Sequence, residues 1–158
     1  MSKLRPATTT DTARCVELLR SFHGAWLEAV GSQIPGATAS RLAFDPAYAE
    51  RIVREHLRGG FAYALVLDVG GMVQGVLLAA AFEHGFAPVW ISKETAWWIE
   101  PRHRGRSAMA MLDAYEAWAR SRHCVFAGMA GMGEDPDVAV LYRRRGYTAA
   151  ETHYVKAL

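Results

Sequence analysis

Two long apolar runs restrict the fold more than anything else in the chain. They are Phe61 to Asp68 (FAYALVLD) and Met72 to Phe82 (MVQGVLLAAAF), separated by Val69-Gly70-Gly71. A Gly-Gly pair accepts the positive φ angles of a tight hairpin turn, so the runs read as neighbouring antiparallel strands. Upstream, Lys3 to Ala7 predicts a short first strand, and Thr8 to Asp11 offers several helix caps. Cys15, Leu18, Leu19, Phe22 and Trp26 then recur at helical spacing, with Arg14, Glu17 and Arg20 on another face. Gly31 to Ser40 reads as a loop. Asp45-Pro46 opens a second helix, Asp as cap and Pro in the first helical position. Ile52, Val53 and Leu57 are expected on its buried side, and Gly59-Gly60 should end it.

Downstream of the hairpin, Glu83 to Ile91 reads as loop or strand edge, and Lys93 to Glu100 (KETAWWIE) as a strand stopped by Pro101. Met111, Leu112, Tyr115, Trp118 and Ala119 mark the apolar stripe of a further helix, with Glu116 and Arg120 as an outward i,i+4 pair. Cys124 to Ala130 predicts a buried-type strand. Asp135-Pro136-Asp137 starts a short helix with Val138, Leu141 and Tyr142 facing inward and Gly146 closing it. Tyr147 to Leu158 suits a terminal strand or hairpin. This order gives an α/β (α+β) class: one domain over residues 1–158, with a mixed, mostly antiparallel sheet and about four helices.

The bulk numbers exclude several classes. The chain has 158 residues, 51% hydrophobic and 22% charged, which suits one globular domain. A formal charge of +2 is too small to argue for nucleic acid. Fifteen of the eighteen basic residues are Arg, which either favours an anionic ligand or reflects codon preference. Cys15 and Cys124 form neither a disulfide framework nor a metal site. Both read as small core residues, a reactive thiol being the alternative. The first residues lack a signal peptide's apolar run, and no stretch approaches the roughly 18 apolar residues of a membrane span, so a cytoplasmic setting without membrane contact is expected.

Chemistry concentrates in Trp97 to Met111 (WWIEPRHRGRSAMAM). A strand ends, a Pro turns the chain, and a basic, Gly-containing bend enters a helix. Helix N-termini present unpaired N–H groups and favour anions, and Arg102, Arg104 and Arg106 add full charges. The bend is a candidate phosphate site or, on the plainer reading, an Arg-rich surface turn.

Ile99-x-Pro101-x-x-Arg104-Gly105, followed by a helix, resembles the pyrophosphate loop of the GNAT (GCN5-related) N-acetyltransferases. That family's pattern is [Gln/Arg]-x-x-Gly-x-[Gly/Ala]; laid on this chain it runs Arg104 to Met109, with Ser107 and Met109 in the two small positions. Asp135 to Tyr147 is similar to the family's Asn-x-x-Ala-x-x-Leu-Tyr-x-x-x-Gly-Phe helix. Leu141, Tyr142 and Gly146 match, Tyr147 is aromatic as expected, and Asp135 and Val138 replace the usual Asn and Ala. A closing strand at Tyr154-Val155-Lys156 fits the same pattern.

The resemblance implies acetyl-CoA as co-substrate, no metal, and acyl transfer to a primary amine on a small molecule or peptide. It implies coenzyme contacts from Trp98, Ile99, Arg104, Gly105, Arg106, Ser107, Ala108 and Met109, and oxyanion donors from the main chain of Trp97–Ile99. Tyr142 is the candidate acid for the departing thiolate: a phenol near pKa 10 can donate to a thiolate near 8.5. Its alternative is a core aromatic. For the base, Glu94 and Glu100 have even spacing through Ala96 and Trp98, which predicts one face of the strand. Glu94 is the candidate; Glu100, at the strand end beside the Arg cluster, is expected to be paired with a charge. Arg143-Arg144-Arg145 could reach phosphates or simply complement a helix end. His84 and His153 could line an acceptor pocket, surface placement being the plainer reading. Trp97 and Trp98 should lie on opposite faces. Homodimers are common among similar proteins, and a catalytically silent, coenzyme-binding interaction module is the competing functional reading.

Overall fold

A computed structural model of the chain describes residues 1–36, 42–132 and 137–158. They fall into two compact units, Met1–Phe22 with Asp45–Met129, and His23–Phe44 with Ala130–Leu158.

The first unit is built on five strands in the order β1 (Ser2–Pro6), β2 (Ala62–Val69), β3 (Met72–Glu83), β4 (Trp90–Ile99) and β5 (Cys124–Gly128). The first three junctions are antiparallel and β4–β5 is parallel, the expected mixed sheet. The hairpin forms as its glycines predict. Gly70 and Gly71 have φ of 62° and 87°, a region costly for residues with a Cβ, and Asp68 Oδ1 accepts from the Gly71 N–H at 2.9 Å.

Leu65 and Leu67 of β2 and Leu77 and Ala79 of β3 pack on Met111 and Tyr115 of α3 (Arg106–Ser121). Val66, Val76 and Leu78, alternating onto the other face, are also buried. That face carries α2 (Pro46–His56) and the first half of α1 (Thr12–Ala29), whose Arg14 Nε donates to the Val73 carbonyl at 2.9 Å. Cover on both faces explains why the runs do not alternate. A fully buried Leu contributes roughly 1.5–3 kcal/mol, against about 0–1 for an exposed ion pair such as Glu116–Arg120 at 3.0 Å. The hairpin core therefore dominates.

The first three helices start where the sequence indicates. Asp45 Oδ1 accepts from the Tyr48 N–H at 3.0 Å, with Pro46 in the first turn of α2. On α1, Cys15, Leu18 and Leu19 are buried; on α3, Met111, Leu112, Tyr115 and Ala119. A charged knot holds β1 in place. Arg5 reaches Asp11 at 2.7 and 2.9 Å and Asp68 at 3.1 Å. The Arg5 hydrogen bond holds the Asp11 carboxyl down at about 2.

Two expectations fail. Cys124–Gly128 is not a buried-type strand: Val125 and Phe126 are 55% and 69% exposed, because β5 is a sheet edge with β4 as its only neighbour among the described residues. Tyr147–Leu158, including Tyr154-Val155-Lys156, is neither strand nor hairpin. Its apolar side chains Tyr154, Val155 and Leu158 are exposed, so no buried face selects a strand register there. In the second unit, Gly31–Gln33 is a 3-10 turn inside the expected loop, and α4 (Ala139–Arg144) is followed by Gly146 at φ 84°. Asp135 and Pro136 of the expected helix start lie outside the described residues. Among those described, no helix is long and apolar enough to cross a membrane.

Candidate active site

The parallel pair β4–β5 is joined only from Trp90↔Cys124 to Lys93↔Gly128, and beyond that rung β4 runs on to Ile99. From Glu94 onward the edge of β4 turned away from β3 therefore faces no strand among the described residues. The Glu100 N–H donates to the Gln74 carbonyl of β3 at 2.9 Å. Main-chain polar groups alternate along an antiparallel strand, so those of Ile99 and Trp97 are directed to the open edge. The Ile99 carbonyl confirms the direction by accepting from Arg104 Nε at 3.0 Å.

The middle of β4 carries a bulge. Leu78 pairs with Ala96 but Ala79 with Glu94, leaving Thr95 as the extra residue. This overturns the expectation that Glu94 and Glu100 share a face. The bulge resets the alternation, so Glu94, opposite Ala79, lies with Ser92 on the α3 side. Ala96, Trp98 and Glu100 lie on the other side. Glu94 is half-buried and close enough to Tyr115 to act on its hydroxyl electrostatically. Thr95 Oγ1 is 2.8 Å from His56 Nε2 on α2, whose Nδ1–H donates to the Ile52 carbonyl at 2.8 Å. Glu100 is paired with a charge as expected, the Arg14 guanidinium of α1 at 3.1 Å.

After Ile99 the chain turns through Pro101–His103 into Gly105, at φ 87°, the N-cap of α3. The first helical bond is Ala108 N–H to Gly105 O at 3.0 Å, so the amides of Arg106 and Ser107 belong to the unpartnered first turn. A Cβ at Gly105 would meet nothing within 4 Å, which leaves open space beside the bend. The Arg104 guanidinium lies 4.8 Å from the Trp98 ring centre, pinned by its bond to Ile99. All three basic side chains of the bend, Arg102, Arg104 and Arg106, are exposed. Ser107 sits in the second helical position rather than at the cap. Met109 is 37% exposed. Trp98, Ile99, Arg104, Gly105, Arg106, Ser107, Ala108 and Met109 are thus brought together along one strand end, one bend and one helix start. A recess of about 330 Å³ beside that helix start is lined by Ser2, Lys3, Leu4, Leu67, Arg106, Ser107 and Ala110, so it borders β1 and takes no lining residue from β4 or β5.

Solved structures share this fold over nearly the whole chain. A GCN5-related N-acetyltransferase from Ralstonia eutropha JMP134 superposes with a TM-score of 0.74 at 21% identity, covering 100% of this chain and 99% of the other. A predicted acetyltransferase with acetyl-CoA from Clostridium acetobutylicum gives 0.71 at 15%, covering 99% and 96%. A transcriptional regulator from Bacillus halodurans C-125 gives 0.73 at 16%, covering 100% of both chains. The fold is that of the GCN5-related N-acetyltransferases. No protein-family model and no curated protein matches the sequence.

Within the GNAT fold the remaining candidates fall as follows. Trp97 and Trp98 lie on opposite faces, Trp97 against the core under α3. Trp98 Nε1 is buried and finds no acceptor among the described residues. Tyr142 belongs to the second unit, where it is half-buried, its hydroxyl donates to the Ala130 carbonyl at 2.8 Å and its ring lies 5.6 Å from Tyr147. Arg143 and Arg144 are exposed at the end of α4. His84 accepts from the Phe86 N–H at 3.2 Å and His153 lies 3.4 Å from Glu151. Cys15 is buried, and burial pushes its thiol up to about 12, as suits a core residue. Among the described residues no three His, Cys, Asp or Glu side chains cluster as metal ligands would.

Sequence reading missed Arg14, His56, Thr95 and the hydroxyl of Tyr115. Only the last left a signal. A Tyr inside an apolar stripe needs a polar partner once buried, and Ser92 and the Gly128 carbonyl supply it at 3.0 and 2.9 Å.

Proposed function

We propose that the chain is an acyl-CoA-dependent N-acyltransferase that moves an acetyl group from acetyl-CoA to a primary amine, residues 1–158 acting as one domain in a cytoplasmic setting. One observation carries the reading: the open edge of β4 leads directly through Arg104-Gly105 into the free amides of α3. A coenzyme has an extended amide-bearing arm and a pyrophosphate. The edge offers main-chain groups to the first, and the helix start offers N–H groups and positive charge to the second. The open space at Gly105 leaves room for the phosphates.

In the reaction the neutral amine attacks the thioester carbonyl, and the resulting oxyanion is stabilised by main-chain N–H groups of Trp97–Ile99. The carbon–sulfur bond then breaks, leaving an amide and a thiolate. Glu94, on the α3 side of the bulge, takes the proton lost by the amine. Tyr142 gives its phenolic proton to the thiolate and regains one from solvent. Its present bond to Ala130 must yield for this. That engaged hydroxyl is the observation favouring the second reading, a silent coenzyme-binding module.

Incubating the protein with acetyl-CoA and a panel of small and peptide amines, with free thiol and acetylated product followed together, tests the proposal. Amine-dependent release of thiol in step with product is expected. Coenzyme binding without thiol release on any amine assigns the silent module, and no binding at all defeats both.

A further inference from the structure

The point at which β4 and β5 part is held by side chains that the reaction scheme does not use. Tyr115 is fully buried in the middle of α3, and its hydroxyl donates to the Gly128 carbonyl, the last residue of β5, at 2.9 Å. Ser92 Oγ lies 3.0 Å from the same hydroxyl and 3.4 Å from the Phe126 carbonyl. Two hydroxyl protons serve these three contacts. With the Tyr115 proton on Gly128, the Ser92 proton is left for Tyr115 or Phe126. Gly128 also approaches β4 closely: an added Cβ would stand 3.4 Å from the Ser92 carbonyl. The last rung, Lys93↔Gly128, is thus the rung these hydroxyls grip.

Nothing in a parallel ladder of uncharged residues (CVFAG in β5) requires it to stop there. What distinguishes the stop is that the Gly128 carbonyl is turned toward α3 instead of the next β4 amide. We propose that Tyr115 and Ser92 are positioning residues, a hydroxyl clasp that ends the β4–β5 ladder at Lys93–Gly128 and so sets the width of the cleft receiving the coenzyme arm. The inference rests on the acyltransferase reading for the identity of what enters the cleft, but not for the clasp itself. Burial, which pushes the Tyr115 phenol up to about 12, keeps that proton on the hydroxyl at all ordinary pH. The clasp does not titrate away. Tyr115 lies nine residues into the helix that begins at Arg106, roughly 13–14 Å along its axis at 1.5 Å per residue. One rigid helix therefore carries both the phosphate-binding end and the clasp, and fixes the distance between them.

The test compares wild type with Tyr115→Phe, Ser92→Ala and, as a packing control in the same core cluster, Met111→Leu. Two quantities are read on the full chain: amide hydrogen exchange of Phe126–Gly128 against that of β2–β3, and the Kd for CoA by calorimetry. Losing one buried hydroxyl bond is expected to speed exchange at Phe126–Gly128 and weaken CoA about fivefold in Tyr115→Phe, with β2–β3 protection retained. Ser92→Ala should move both in the same direction by less. Met111→Leu should lower Tm without altering either. Unchanged local exchange in both hydroxyl variants overturns the clasp, as does an equal change in Met111→Leu. If wild type binds no CoA, the acyltransferase reading falls, and the exchange measurement alone still decides whether the clasp exists.

Discussion

The two halves of β4 have the same neighbour on one side and opposite fates on the other. Trp90–Lys93 is gripped between β3 and β5, whereas Glu94–Ile99 keeps only β3 among the described residues. Ser92 in the first half is buried with its hydroxyl satisfied. In the second half the bulge at Thr95 turns Glu94 out of the alternation, and Ile99 spends its outward carbonyl on Arg104. The difference teaches where a sheet becomes a site. Pairing builds the scaffold, and withdrawing it from one edge over a few residues leaves main-chain donors for something other than protein.

Four changes sharpen or break this contrast. The largest effect is expected from Ser107→Glu. A carboxylate in the first turn suits the helix dipole, so Tm should hold or rise, while CoA affinity falls about 100-fold, on the order of 3 kcal/mol of repulsion and lost contact. Affinity within twofold of wild type, measured by calorimetry, would place the phosphates elsewhere. Next, Tyr142→Phe should cut kcat about 100-fold with CoA affinity unchanged; a parallel loss of both in steady-state and binding measurements makes Tyr142 structural. Glu94→Gln should lower the rate about tenfold at neutral pH. The deficit should narrow as pH approaches the acceptor's own pKa, since a deprotonated amine needs no base. A rate ratio flat across that range removes Glu94 as the base. The smallest effect on the site, and a check on the rest, is Asp11→Asn at the closed end of the sheet. Stability should fall by about 2 kcal/mol at pH 7 with CoA affinity unaltered, both judged by urea unfolding and calorimetry.

The pH dependence of that last pair has a definite sign. The Asp11 carboxyl is lowered from 3.8 to about 2 in the folded protein by its bond to Arg5. Its contribution is therefore complete above pH 3.8 and lost as pH drops toward 2. Urea midpoints of wild type should converge on those of Asp11→Asn over that window, and midpoints that stay apart at pH 2 would falsify the Arg5–Asp11 assignment.

The scaffold half of this picture was legible in the sequence because it depends on properties that single residues carry. Gly70-Gly71 must turn, Asp45-Pro46 must start a helix, and Leu65, Leu67, Leu77 and Leu78 must be covered. The bend at Arg104-Gly105 was legible for the same reason. The cleft was not. A bulge is a choice between backbone registers, and KETAWW holds no residue that forces it. Arg14 and Glu100 are 86 residues apart, and His56 and Thr95 are 39 apart, so each pair exists only once the chain has folded. The burial of β5 was misjudged because an apolar segment carries no mark of whether a further strand lies beside it. Tyr147–Leu158 was misjudged because β-branched and aromatic residues register only a preference, which burial must ratify.

Cys15 gives the molecule a built-in clock. Its thiol, on the buried side of α1, is fully covered and held protonated by that burial well beyond neutral pH, so a colorimetric disulfide reagent can reach and ionise it only when that cover opens. Labelling of this one sulfur, separated by mass spectrometry from the partly exposed Cys124, times that opening event directly. An excess of coenzyme that slows the labelling would report ligand capture before any acceptor has been identified.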